Sequence, residues 1–250
     1  MSNFKTVKIM KKYLIIFIAA LSFASCSDIL DLSPTTSVTD AAVWQDPALI
    51  VAYHTELYNS IEHGFRSWNN WQSKATDEVY PAVNWGPCMF QHGTLSPDNV
   101  DGTLYYWDKG YQYLRKINIF LDKTAQLDFD LPNKARLVAE VKFLKAWIYF
   151  VLTTRFGSAV LIDEYWDLSQ VDGVAFSRSS FAECVAEIEK LIAEAMPDLP
   201  QTYMNTDANF GRASQDVCRA LLSRMYLYFA SPLYNPTNDR AKWQKAADAT

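Results

Sequence analysis

Leu137, Val141, Leu144, Ile148 and Val151 recur three and four residues apart, and the row ends at Gly157. That spacing traces one face of an α-helix, and a glycine just past it is the usual left-handed C-terminal cap. Residues 146 to 152 are apolar on every side, so this helix is predicted to be buried on most of its surface. A buried helix needs neighbours around it. With 8 glycines but 14 tyrosines, 14 phenylalanines and 8 tryptophans, the chain is suited to packed helices rather than to a turn-rich β-sandwich.

The flanking sequence supplies those neighbours. Asp46-Pro47 opens a helix with Ile50, Tyr53, Leu57 and Ile61 on one face, the acid serving as N-cap and the proline occupying the first helical position. Helical patterning resumes at Leu104, with Trp107, Tyr111, Leu114 and Leu121 aligned. Asn118 interrupts that stripe and reads as a buried hydrogen-bonding residue that fixes register. Ser180-Phe181-Ala182-Glu183 is a capping box, followed by Phe181, Val185, Ile188 and Ile192 inward and a stop at Pro197. Ser214 caps a helix with Cys218, Leu222, Met225 and Phe229 on one side, ending at Pro232; another starts near Arg240 with Trp243. That last helix reaches Thr250 without a stop signal, so the polypeptide is expected to continue. The fold class is mainly α, with successive antiparallel helix pairs stacked as a repeat scaffold and long irregular loops.

The N-terminus has a different character. Lys5, Lys8, Lys11 and Lys12 precede the apolar run Tyr13 to Leu21, and small residues lead to Cys26. That order is a secretory signal peptide over residues 1–25, with Cys26 placed to carry lipid; an ordinary signal peptide with an incidental cysteine is the alternative. Residues 26–45 read as an extended tether and 46–250 as the helical region. Attachment to a membrane would be through the lipid anchor only. Without residues 1–25 the chain has 19 basic and 28 acidic residues, a net charge of −9, which argues against a nucleic-acid partner. Cys88, Cys184 and Cys218 form no Cys-x-x-Cys pair and His54, His63 and His92 are scattered, so neither a zinc site nor another cofactor is expected. Cys218 reads as a small buried hydrophobe.

Residues 63 to 103 break the helical pattern with four glycines, three prolines and a cluster of aromatics. Loops of this length in compact domains usually carry function or hide short elements.

Several blocks resemble the SusD/RagB family. They are Ile117-Asn118-Ile119-Phe120-Leu121, the helix Ala139-Glu140-Val141-Lys142-Phe143-Leu144-Lys145-Ala146-Trp147-Ile148-Tyr149-Phe150, and Arg155-Phe156-Gly157. The stretch from Cys26 to Pro34, Gly211-Arg212-Ala213-Ser214, and Ser231-Pro232-Leu233-Tyr234-Asn235-Pro236 agree in order and spacing. Val141, Lys145 and Ser158-Ala159-Val160-Leu161 depart from the family pattern. The resemblance implies a tetratricopeptide-like helical scaffold in an outer-membrane lipoprotein facing outward. It also implies a partner, a SusC-like TonB-dependent transporter, to which captured glycans, or peptides in some members, are delivered.

Glycan capture needs flat aromatic faces for sugar rings and polar groups for their hydroxyls. Thr76-Asp77-Glu78 resembles the block that precedes the family's N-terminal share of the binding surface, which singles out Trp85 with Asn84 beside it; no arginine lies between. Trp68, Trp71 and Tyr80 are further candidates. Each of these aromatics could instead plug a loop against the helices, as in a scaffold that binds only proteins. Trp147, Tyr149 and Phe150 are assigned to the core. The carboxylate pairs Asp77/Glu78 and Asp163/Glu164 are adjacent in sequence, and such neighbours rarely aim at one target, as a glycosidase requires. No nucleophile motif, phosphate loop or His-Glu-x-x-His accompanies them. The reading is of a binder, not an enzyme.

Overall fold

The computed structural model describes residues 40–62, 76–77, 91–96, 106–167, 169, 171 and 174–249. The chain divides into two units, Met1–Ala42 and Val43–Thr250. Of the first, only the opening of a one-turn helix, Asp40–Val43, is described. The signal peptide, Cys26 and most of the expected tether lie outside the described residues. The tether's end is not extended: the one-turn helix precedes Trp44, which is buried with its ring centroid 5.1 Å from that of Tyr53. Burial of so large an apolar side chain draws this end of the tether into the helical unit.

Among the described residues six α-helices follow: α1 (Pro47–Leu57), α2 (Trp107–Ala125), α3 (Lys134–Phe156), α4 (Phe181–Ala195), α5 (Gln215–Ala230) and α6 (Arg240–Asp248). The described residues include no strand. The caps are those the sequence predicts. Asp46 accepts from the amide of Ala48, Ser180 and Glu183 form both halves of the capping box, and Ser214 accepts from the amide of Val217. Gly157 closes α3 at φ 78°, a left-handed conformation that costs an ordinary residue free energy.

Contacts between helices fix their directions. Tyr53 meets Lys116 and Glu56 meets Tyr113, so α1 and α2 are antiparallel. Gly110 lies against Leu152 and Asn118 bonds Lys145, which makes α2 and α3 antiparallel. Lys142 pairs with Glu194 while Cys184 faces Ala159 just beyond α3. Phe181 stacks on Phe229, and Lys242 and Lys245 sit over Phe229 and Tyr226. Each of these six helices therefore runs opposite to the one before it in the series, which is the stacked-hairpin arrangement of a tetratricopeptide-like scaffold. The core runs through this stack, with α3 at its centre. Leu137, Val141, Leu144 and Ile148 are buried as predicted, while Val151 is half-buried.

Two predicted faces are rotated. On α2 the helix begins at Trp107, and the buried positions are Gly110, Tyr113, Leu114, Ile117, Asn118, Phe120 and Thr124. Trp107, Tyr111 and Leu121 are only half-buried. The close approach of α2 to α3 decides this: a Cβ on Gly110 would lie 3.1 Å from Leu152 Cδ2. On α5, Leu221 and Tyr226 are buried, whereas Leu222 and Phe229 are half-buried, Phe229 lying against Phe181 of α4 and Lys242 of α6. Cys184 and Cys218 are free and buried, and burial pushes the Cys218 thiol up to about 12. Cys88 lies outside the described residues.

Candidate functional site

Two polar clusters lie inside the helical stack. Asn118 is buried; its amide donates to the carbonyls of Ile162 (3.2 Å) and Glu164 (3.0 Å) and its oxygen accepts from Lys145 Nζ at 2.9 Å. This is the register-fixing role expected of it, and it also ties the segment after α3 onto α2. Burial holds Lys145 below the usual lysine range.

The second cluster centres on Glu140, which is fully buried. Tyr58 donates to Oε2 at 2.8 Å, Arg136 to Oε1 at 2.6 Å and Arg212 to Oε2 at 3.2 Å. Arg212 also approaches His54 Nδ1 at 3.3 Å. Arginine can only donate, so Nδ1 accepts and the ring proton sits on Nε2, 3.2 Å from Glu140 Oε2. Burial alone would raise the Glu140 pKa; the contacts from His54 and Tyr58 and the charge of Arg136 outweigh it and hold it below the ordinary carboxylate range. The cluster binds α1, α3 and the turn before α5 together. Within it Glu140 and His54 are fully buried, while Arg136 and Arg212 are partly exposed.

The open site lies on the outer face of α3. Trp147, Val151 and Thr154 are spaced three and four apart and share a face, opposed by Arg224 and Tyr228 of α5 in a groove of about 390 Å³. Phe150 forms the floor, its ring centroid 5.8 Å from that of Tyr228. Arg155 closes one end and bonds Glu62 at 2.9 Å. Trp147 is thus half-buried in a groove wall rather than packed wholly in the core, while Tyr149 and Phe150 are buried as assigned. The indole nitrogen of Trp147 is buried with no hydrogen-bond partner among the described residues.

Glu62, which lines the groove, is the last described residue before the stretch the sequence singles out. That segment leaves α1 after Glu62 and returns at Tyr106. Arg155 pairs with Glu62, and its guanidinium lies 5.4 Å from the Tyr106 ring centroid. Tyr106 also donates to Ser60 O at 2.7 Å. Trp68, Trp71, Tyr80, Asn84 and Trp85 themselves lie outside the described residues, as does Glu78. Of the expected carboxylate pairs, Asp163 and Glu164 are both exposed. A second cavity, of about 230 Å³, is walled by Tyr165, Trp166 and Phe176 beside Asn118. It offers almost no polar lining and would leave sugar hydroxyls unpaired. No group of side chains among the described residues could hold a metal ion, and no helix there is long and apolar enough to cross a membrane.

Fold and groove together define a helical-repeat scaffold with an aromatic, polar-edged cleft, the build of a binding protein. The family model described as starch-binding and associating with the outer membrane matches residues 28–227, and the chain belongs to this SusD-like family. A SusD-like protein of Bacteroides ovatus is 22% identical over 228 residues, covering 86% of this chain and 39% of that protein. A solved SusD-like protein from Bacteroides fragilis is 26% identical with a TM-score of 0.59, over 83% of this chain and 40% of that one. A laminarin-binding SusD-like protein is 22% identical with a TM-score of 0.61, over 82% and 42%. The chain spans less than half the length of each of these relatives.

Proposed function

We propose that this protein captures oligosaccharides or polysaccharides at the outer membrane and delivers them, uncleaved, to a SusC-like TonB-dependent transporter. In this reading it is held by lipid on Cys26 and faces outward. The observation that carries it is the groove between α3 and α5, which presents Trp147, Phe150 and Tyr228 beside Thr154, Arg155 and Arg224. Aromatic faces with a few polar groups suit sugar rings. The groove's Arg155 also contacts Glu62 and Tyr106, the described residues on either side of the stretch that bears Trp68, Trp71, Tyr80, Asn84 and Trp85, which are proposed as further contacts. A laminarin-binding relative of the same fold supports the ligand class. Binding without cleavage is supported by the family description, which names binding.

Affinity electrophoresis of the mature protein through a panel of polysaccharides, laminarin included, tests this. At least one glycan should retard the protein, and Tyr228→Ala, at an exposed groove position, should reduce the retardation while the fold is kept. Passage unretarded through every gel would overturn glycan capture; sugars released from the gel would overturn binding without cleavage.

A further inference from the structure

The geometry points to an acidic glycan as the ligand of the groove, with a carboxylate or sulfate group of the sugar seated on Arg224. This rests on the glycan-binding reading of the same groove. The groove holds two cations, Arg155 and Arg224, and one carboxylate, Glu62. Arg155 is committed, to Glu62 at 2.9 Å and to the face of Tyr106. Arg224 is exposed, and no carboxylate of the described residues pairs with it. It is nevertheless placed: its guanidinium carbon lies 5.8 Å from the ring centroid of Phe150. That is within cation–π reach, which biases the guanidinium toward the cleft, and its fork matches the two oxygens of a carboxylate or sulfate.

The setting sharpens the point. The chain carries a net charge of −5, and elsewhere on α5 Arg219 is neutralised by Asp216 at 2.8 Å. An arginine without such a partner inside an aromatic cleft runs against that balance. Arg224 and Tyr228 are one helical turn apart, so their side chains are neighbours on α5. A sugar ring lying on the Tyr228 face would bring an acidic substituent within reach of the guanidinium. A neutral sugar would leave that cation with only water.

The test compares three gels containing dextran, polygalacturonate or dextran sulfate, run with the mature wild-type protein and with Arg224→Gln and Arg219→Gln. Circular dichroism first confirms that both variants are folded. The wild-type protein should be retarded by polygalacturonate or by dextran sulfate at about tenfold lower polymer concentration than by dextran, since a charged hydrogen bond commonly changes affinity by that factor or more. Arg224→Gln should abolish the preference and Arg219→Gln should keep it. Retardation by polygalacturonate identifies a uronate carboxylate as the group recognised, and by dextran sulfate a sulfate ester. Equal retardation of wild type and Arg224→Gln by the acidic polymers overturns the inference, as does equal loss in both variants. Binding of neutral glycans alone, lost in Tyr228→Ala, overturns the acidic preference and leaves glycan capture standing. No retardation by these polymers or by the wider panel overturns both.

Discussion

Replacing Glu140 with Gln tests the buried polar cluster most sharply, because the substitution keeps the volume and removes only the charge. In the native protein Oε1 accepts from Arg136, and Oε2 from Tyr58 and Arg212, with His54 Nε2 at 3.2 Å. A carboxamide has one acceptor oxygen. Placed at Oε2, it turns its NH2 toward the Arg136 guanidinium, donor against donor. The side chains of Arg136 and Arg212 are each 24% exposed, so water compensates part of the loss. His54 is fully buried and has no such recourse. Breaking a buried pair outright costs about 3–5 kcal/mol; with solvent reaching both arginines, Glu140→Gln should cost about 2–3 kcal/mol. For a chain of this size that lowers Tm by roughly 4–12 °C.

The pH dependence carries a definite sign. The folded Glu140 pKa lies below the ordinary value of 4.5, so the folded state favours the carboxylate. Its contribution is complete above that ordinary value and is lost as pH falls through the depressed one. Thermal melts by circular dichroism should therefore show the full gap between wild type and Glu140→Gln at pH 7, narrowing below pH 4.5. A variant as stable as wild type at pH 7, or a gap that does not change with acid, would refute the reasoning.

Three further outcomes follow from the packing. Asn118→Leu leaves Lys145 Nζ and the carbonyl of Glu164 without their partner and should cost about 2–4 kcal/mol in urea denaturation; a neutral effect would mean the cluster does not fix register. Gly157→Ala places a methyl 3.7 Å from Tyr234 Oη, so only the left-handed backbone resists it, and a loss of about 1–2 kcal/mol is expected. Gly157→Asn should recover part of that. Cys184 and Cys218 should not react with a thiol reagent at pH 8 until the protein is unfolded, because both are buried and burial raises the Cys218 pKa to about 12.

Local signals made the helices legible in the sequence. Asp46-Pro47, the Ser180–Glu183 box, Ser214 and Gly157 each act within a turn of their own position, and each appears where it was read. Faces were harder. The stripe Trp107, Tyr111, Leu114 and Leu121 has helical spacing, but close contact with α3 selects Gly110, Ile117 and Phe120 instead, and glycine leaves no hydrophobic mark. The Glu140 cluster was invisible because His54, Glu140 and Arg212 lie far apart in the chain and no local pattern links them. The Gly211-Arg212-Ala213 block was the available signal. The groove was hidden for the opposite reason. Trp147 and Val151 sit in an all-apolar run, and periodicity cannot tell which side of such a helix lacks a neighbour.

The central claim is that this protein captures a glycan through the groove between α3 and α5, with Trp85 proposed as a further contact. Calorimetric titration of the mature protein with the glycan that retards it most, run for wild type, Trp85→Ala and Tyr228→Ala, tests this directly. The account predicts saturable binding that both substitutions weaken by about tenfold or more, as loss of a ring-stacking face should. Unchanged affinity in both variants would place the ligand elsewhere and contradict it.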